Sequence, residues 1–188
     1  MNTCRNVVLA VTGASGACYA RRFLERASAL EGVAVHLLMT DTGREVWRHE
    51  LGGPPVAGVS TEIDNSCFDS PFCSGSAAAE VMVILPCSMG TLGRIAAGVA
   101  DDALGRIADV QLKERRPLII VPRETPLSLI HLRNMSLLTE AGAVIAPAAP
   151  GFYTRPDSLE ALVDGFTARL LQLAGLSALE EKYKWNHL

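Results

Sequence analysis

The stretch Leu118-Ile-Ile-Val-Pro-Arg-Glu-Thr-Pro126 restricts the fold more than any other part of the chain. Leu118 to Val121 is unbroken apolar sequence with three β-branched residues, leaving no face to turn to water. Such a run suits a strand covered on both sides, as in a parallel sheet with helices on each face. Pro122 and Pro126 cannot donate to a ladder, so the strand stops there and the chain is held extended. Arg123 and Glu124 are left at the carboxyl end of a central strand, the edge where open α/β sheets bind ligands.

The same pattern recurs along the chain. Val7 to Val11 reads as a strand, Thr12-Gly-Ala-Ser-Gly16 as a tight turn, and Ala17 to Leu30 as a helix with Tyr19, Phe23, Leu24, Ala27 and Leu30 at helical spacing. Strand, glycine turn and helix make the first unit of a nucleotide-binding α/β fold. Small residues there let the backbone approach a phosphate at the helix N-terminus. No acidic residue follows the second strand, Val33 to Met39, in the usual ribose-binding place, which favours a mononucleotide such as FMN over NAD. Asp41 or Thr42 is the expected cap of a helix to about Leu51, with Glu50 near its end. Residues 52 to 76, rich in Gly, Pro and Ser, read as one long loop.

A third strand, Val81 to Leu85, is again stopped by proline, and Pro86-Cys-Ser-Met-Gly-Thr91 leads into a helix from about Leu92 to Gly98. Its hydroxyls and glycine suit a flat ring or a phosphate. Cys87 has no base beside it in sequence, so packing as a small hydrophobe competes with a role as nucleophile. On the helix predicted over 102–114, Arg106 and Lys113 fall on one face two turns apart, as a phosphate clamp or a solvated basic patch. Ser128 caps a helix to about Ala141, Val144 to Ala146 is a last short strand, and Ser158 caps an amphipathic helix to about Leu173. Tyr153 lies on a proline-stiffened loop between these last two, Arg169 lies late in the final helix, and Trp185 lies in the tail.

Composition bounds the partners. The 188 residues suffice for one domain with a full core. With 49% hydrophobic and 20% charged residues, some apolar surface is expected to be covered by other copies. A net charge of −3 argues against a nucleic-acid surface, and no apolar run reaches the length of a membrane span. Five scattered cysteines without CxxC spacing, and a start without the form of a signal peptide, point to a reducing, cytoplasmic setting.

Taken in order, the motifs resemble those of the UbiX-type flavin prenyltransferases, a family formerly described as aromatic acid decarboxylase subunits. They are Thr12-Gly-Ala-Ser-Gly16, Ser74-Gly-Ser76, Pro86-Cys-Ser88 with Thr91-Leu92, Ala108-Asp-Val110 with Leu112-Lys-Glu-Arg-Arg-Pro-Leu118, Pro122-Arg-Glu-Thr-Pro126, His131-Leu132 with Asn134-Met135, and Pro150 with Phe152-Tyr153. The resemblance implies a Rossmann-like, flavodoxin-type three-layer fold, a parallel sheet flanked by helices, over residues 1–176. It implies a tail, 177–188, docking on a neighbouring subunit, and a homo-oligomer, a dodecamer of trimers. It implies an enzyme that joins a dimethylallyl group from dimethylallyl (mono)phosphate to N5 and C6 of reduced FMN without a metal. The product, prenylated FMN, is the cofactor of UbiD-type decarboxylases. By position, Gly13, Ala14, Ser15, Thr40, Ser88, Met89, Gly90, Thr91 and Arg123 would contact FMN. Ser74, Arg106, Lys113, Glu124, Tyr153, Arg169 and Trp185 would meet the prenyl phosphate, some of them from neighbouring subunits. Ser15, Glu50 and Glu124 match the positions of the family's proton handling, Glu124 as acid for the leaving phosphate and base for ring closure. Thr40-Asp41 departs from a common Ser-Lys pair, and the 52–72 stretch matches poorly. Two rivals share the fold: a flavin-dependent cysteine decarboxylase and a flavin-binding carrier without catalysis.

Overall fold

The computed structural model describes residues 4–53 and 58–185. Its strands are β1 (Arg5–Val11), β2 (Val33–Met39), β3 (Val59–Ile63), β4 (Val81–Cys87), β5 (Leu118–Pro122) and β6 (Val144–Ile145). Its helices are α1 (Ala17–Ser28), α2 (Asp41–Leu51), α3 (Met89–Ala96), α4 (Ala103–Lys113), α5 (Leu129–Glu140) and α6 (Leu159–Leu173). The strands form one sheet in the order β3-β2-β1-β4-β5-β6, and every neighbouring pair is parallel.

Strand alternation divides the core in two. Val7, Leu9 and Val11 of β1 face Phe23 and Leu24 of α1, Trp47 of α2 and Leu170 of α6. Val8 and Ala10 face Leu92 of α3, Leu104 and Ile107 of α4 and Leu138 of α5. The fold is thus the Rossmann-like three-layer sandwich that the family resemblance implies, with both sheet faces covered as the apolar strands predict. Each fully buried Leu, Ile or Phe contributes about 1.5–3 kcal/mol. The chain builds outward from β1 through β2 to β3, then restarts on the other side at β4. The β1/β4 boundary is therefore the switch point, where a crevice opens outside the carboxyl ends of the strands.

Three local expectations are corrected. Residues 52–76 are not one loop. They contain the edge strand β3, whose middle residues are exposed, and two short 3-10 turns at Pro71–Cys73 and Gly75–Ala77. The third strand continues through Pro86 to Cys87, and α3 begins at Met89 behind a Ser88 cap. The cap of α2 is Thr40, whose hydroxyl accepts the Gly43 amide at 3.0 Å.

The β4 register slips between Ile84 and Cys87, and Cys87 joins the core layer of α3, α4 and α5. It is fully buried, and burial pushes its thiol up to about 12, so it packs as a hydrophobe and is no activated nucleophile. The tail returns to its own chain. Tyr183 is buried, with its ring beside Gly165 of α6 and cations of Arg26 and Lys182 over it, and Arg26 also pairs with Glu180. Trp185 is the large apolar side chain of the tail that stays exposed, while residues 186–188 lie outside the described residues. No helix among the described residues is long and apolar enough to cross a membrane.

Candidate active site

The crevice at the β1/β4 switch point is built by three strand ends. After β1, the chain turns through Gly13, Ala14 and Ser15 into α1. A Cβ on Gly13 would stand 2.6 Å from the Thr42 hydroxyl, so only glycine lets this turn approach α2 so closely. Thr40 and Thr42 place their hydroxyls 3.2 Å apart beside it. After β4, Ser88 accepts the Thr91 amide at 3.3 Å and donates to the Thr91 hydroxyl at 3.1 Å, which sets the first turn of α3. A Cβ on Gly90 would meet nothing within 4 Å, so the backbone there is open to a ligand. Met89 packs partly into the core. After β5, the Arg123 guanidinium turns back and donates from Nε to the Ser15 carbonyl at 2.9 Å.

Glu50 completes this group. Although exposed at the end of α2, its carboxylate accepts the Gly16 amide at 3.0 Å and the Ala17 amide at 2.8 Å. It therefore caps α1, which has no side-chain cap from Gly16 itself. Burial alone would raise its pKa. The Ser15 hydroxyl, the two amides and the Arg123 guanidinium outweigh burial and hold the carboxyl below its ordinary range. At the start of α1, where the sequence leads one to expect a ligand phosphate, the first amides hold the Glu50 carboxylate. The starts of α2 and α3 are capped by neutral hydroxyls instead, and α3 has no acidic residue in its first turn. Ser15, Glu50 and Arg123, far apart in sequence, are thus joined around one turn. Glu124 is beside them in chain order, exposed, with its carboxylate accepting the Thr125 amide at 3.0 Å.

The cations fall into a second group. Ser74 lies 3.0 Å from the Ser76 hydroxyl, Arg106 donates to the Cys73 carbonyl at 3.0 Å, and Lys113 and Glu114 crowd Gly75. Arg106 pairs with Asp109, and Lys113 with Glu114. Arg106 and Lys113 share one face of α4, as their spacing predicts, with Arg106 at Cys73 and Lys113 at Gly75, but Lys113 is not beside Arg123. Lys113 ends α4 just before β5 begins, whereas Arg123 follows the last residue of β5. The length of that strand, at about 3.3 Å per residue, separates them. Ser74 likewise precedes β4, at the amino edge of the sheet.

Tyr153 and Arg169 are engaged elsewhere. The Tyr153 hydroxyl donates to the Tyr183 carbonyl at 3.0 Å, and its ring meets Trp185 edge-on at 5.5 Å. These two, with Phe152, Arg155, Lys182 and Lys184, line a cavity of about 360 Å³. Arg169, on α6, donates to Gln172. A single chain therefore builds a crevice at the switch point and an aromatic, basic cavity, and carries Lys113 a strand length from Arg123.

Comparison with known proteins decides the family. A family model described as Flavoprotein matches residues 1–170. A flavin prenyltransferase UbiX of Methanothermobacter thermautotrophicus is 46% identical over 181 residues, covering 94% of this chain and 93% of that protein. The chain belongs to the UbiX-type flavin prenyltransferase family. A crystal structure of AnUbiX (PadA1), in complex with FMN and dimethylallyl pyrophosphate, is 40% identical with a TM-score of 0.89, covering 98% of each chain. A dodecameric FMN-dependent UbiX-like decarboxylase from Escherichia coli O157:H7 is 35% identical with a TM-score of 0.88, covering 92% of this chain and 95% of that one. As a member of this family, the chain is an enzyme of the prenyltransferase class.

Two residues of the crevice escape the motif reading. Thr42 reads from sequence as a helix cap, yet its hydroxyl faces Gly13 and Thr40. Thr12 reads as the first residue of the turn, yet it is 1% exposed and bonded to the end of β4. A threonine closing an apolar strand was the available signal, since a buried hydroxyl needs partners.

Proposed function

We propose that this protein prenylates reduced FMN, using dimethylallyl phosphate as donor, and passes the prenylated flavin to a UbiD-type decarboxylase. The observation that carries the reading is the convergence of Ser15, Glu50 and Arg123 beside an open α3 start. This arrangement fits a flat, anionic ring system. FMN supplies the nucleophilic ring atoms N5 and C6. Gly13 and the Thr40 and Thr42 hydroxyls hold its phosphate, and Ser15, Ser88 to Thr91 and Arg123 hold the ring. Arg106, Lys113 and Arg169, with the Tyr153 phenol, meet the charge that grows on the departing phosphate. Glu124 delivers a proton to that phosphate and takes the proton released at C6. Trp185 closes the prenyl side. The donor in the AnUbiX complex is the pyrophosphate, so both phosphate forms belong in the assay.

Because Lys113, at the end of α4, stands a strand length from Arg123, the complete site is made between copies in the oligomer. Anaerobic mixing of protein, reduced FMN and donor yields prenylated flavin, read by mass spectrometry. Its absence from the wild type would sink the reading. Glu124→Gln and Lys113→Ala each bind FMN but form no product. Mixed after subunit exchange, the two variants regain turnover, since some interfaces then unite an intact Glu124 with an intact Lys113. Failure to regain it in mixed oligomers verified by native mass spectrometry would confine the site to one chain.

A further inference from the structure

We infer that Thr12 is a positioning residue: its hydroxyl fixes the spacing of the two loops between which the flavin ring is proposed to lie. The inference rests on that placement of the flavin. The strand ends around the crevice are tied by bonds that continue the ladder beyond its last pairs. Between β2 and β1 the tie is the Thr40 amide on the Val11 carbonyl, at 3.1 Å, and between β4 and β5 the Arg123 amide on the Cys87 carbonyl, at 3.4 Å. Both are backbone bonds, indifferent to side-chain identity.

The switch point is different. Backbone pairing of β1 with β4 runs only to Ala10 and Ile84. Beyond it stands Pro86, which has no N–H to give. Thr12 covers the gap in two ways. Its amide and its hydroxyl both donate to the Pro86 carbonyl, at 3.2 and 2.9 Å, and its hydroxyl oxygen accepts the Ser88 amide at 2.8 Å. A single oxygen atom thus links the residue before Gly13 to the residue that caps α3. At 1% exposure, water cannot replace it. Valine at position 12 keeps the shape but leaves the Ser88 N–H without an acceptor, so Ser88 and the first turn of α3 must shift to find one. Serine keeps both bonds and loses only a methyl group.

The test compares Thr12→Val and Thr12→Ser by FMN fluorescence quenching, by turnover at saturating reduced FMN, and by the melting temperature of the flavin-free protein. Thr12→Val is expected to weaken FMN binding roughly tenfold, the order expected for an orphaned buried N–H, and to slow turnover even at saturation. Thr12→Ser is expected to restore both to near wild type. A role in packing alone would lower the melting temperature of both variants and leave FMN affinity and turnover of the folded protein unchanged. That outcome, or equal impairment of the two variants, overturns the inference. If Thr12→Val does not fold, Thr12→Cys, with a weak thiol donor of similar size, is read in its place. Should wild type bind FMN without forming product, the proposed reaction fails, while the FMN affinities still judge Thr12.

Discussion

Glu50 does at the surface what a buried cap does elsewhere. Its carboxylate sits on the positive end of α1 and holds two amides that Gly16, lacking a side chain, leaves open. Losing that cap in Glu50→Ala costs about 1 kcal/mol. The pH dependence separates charge from hydrogen bonding. A carboxyl whose folded pKa is depressed adds stability that is complete above its unfolded pKa, about 4.3 for glutamate, and that vanishes as pH falls through the folded value. The stability gap between wild type and Glu50→Gln is therefore largest near neutrality and closes below about pH 4.3, as read from urea unfolding across pH. A gap that widened in acid would contradict the depressed pKa. The same charge bears on chemistry. Held below its ordinary range, Glu50 is ionised at neutral pH and is a weaker base than a free glutamate, so it stores no proton to deliver in turnover.

At the scale of elements, the central strands were legible and the outer one was not. β1, β4 and β5 are buried on both faces and read as apolar runs. β3 is an edge strand, Val59-Ser-Thr-Glu-Ile63, with its middle three residues exposed. It has neither an apolar run nor a clean alternation, and the glycines and prolines before it read as loop. The pairing of Ser15 with Glu50 and Arg123 was legible only through the family resemblance, because no local pattern reports which loops meet above a sheet. The separation of Lys113 from Arg123 was legible in principle. In a parallel sheet, a residue that precedes a strand and one that follows it stand at opposite edges. The close approach of β1 and α2 yields the prediction at this scale. A Cβ on Gly43 would stand 2.5 Å from the Val11 carbonyl oxygen, which is backbone and cannot rotate away. Gly43→Ala is expected to destabilise by roughly 1–3 kcal/mol and to lower FMN affinity, because the Thr40 and Thr42 hydroxyls move with α2. Wild-type melting and binding in that variant would show that the contact yields.

At the scale of the whole molecule, the uncovered apolar surface gathers around α5. Leu127, Leu129, Ile130, Leu132 and Leu137 are all exposed, and Leu138 is the buried residue of that helix. This is far more than scattered surface leucines, and it begins a few residues beyond Arg123 and Glu124. A surface of this kind, next to a crevice that stands a strand length from Lys113 of the same chain, favours closed association of copies. Ile130→Glu is expected to lower the mass in sedimentation velocity and abolish prenyl transfer while FMN binding persists. Retention of both size and activity would remove α5 from the interface. One consequence concerns how the protein must be assayed. On the proposed sharing of the pocket between two copies, turnover per chain is no longer an intrinsic constant. It declines on dilution toward the dissociation range of the assembly, and a rate measured at nanomolar enzyme understates what the same molecule achieves at cellular abundance.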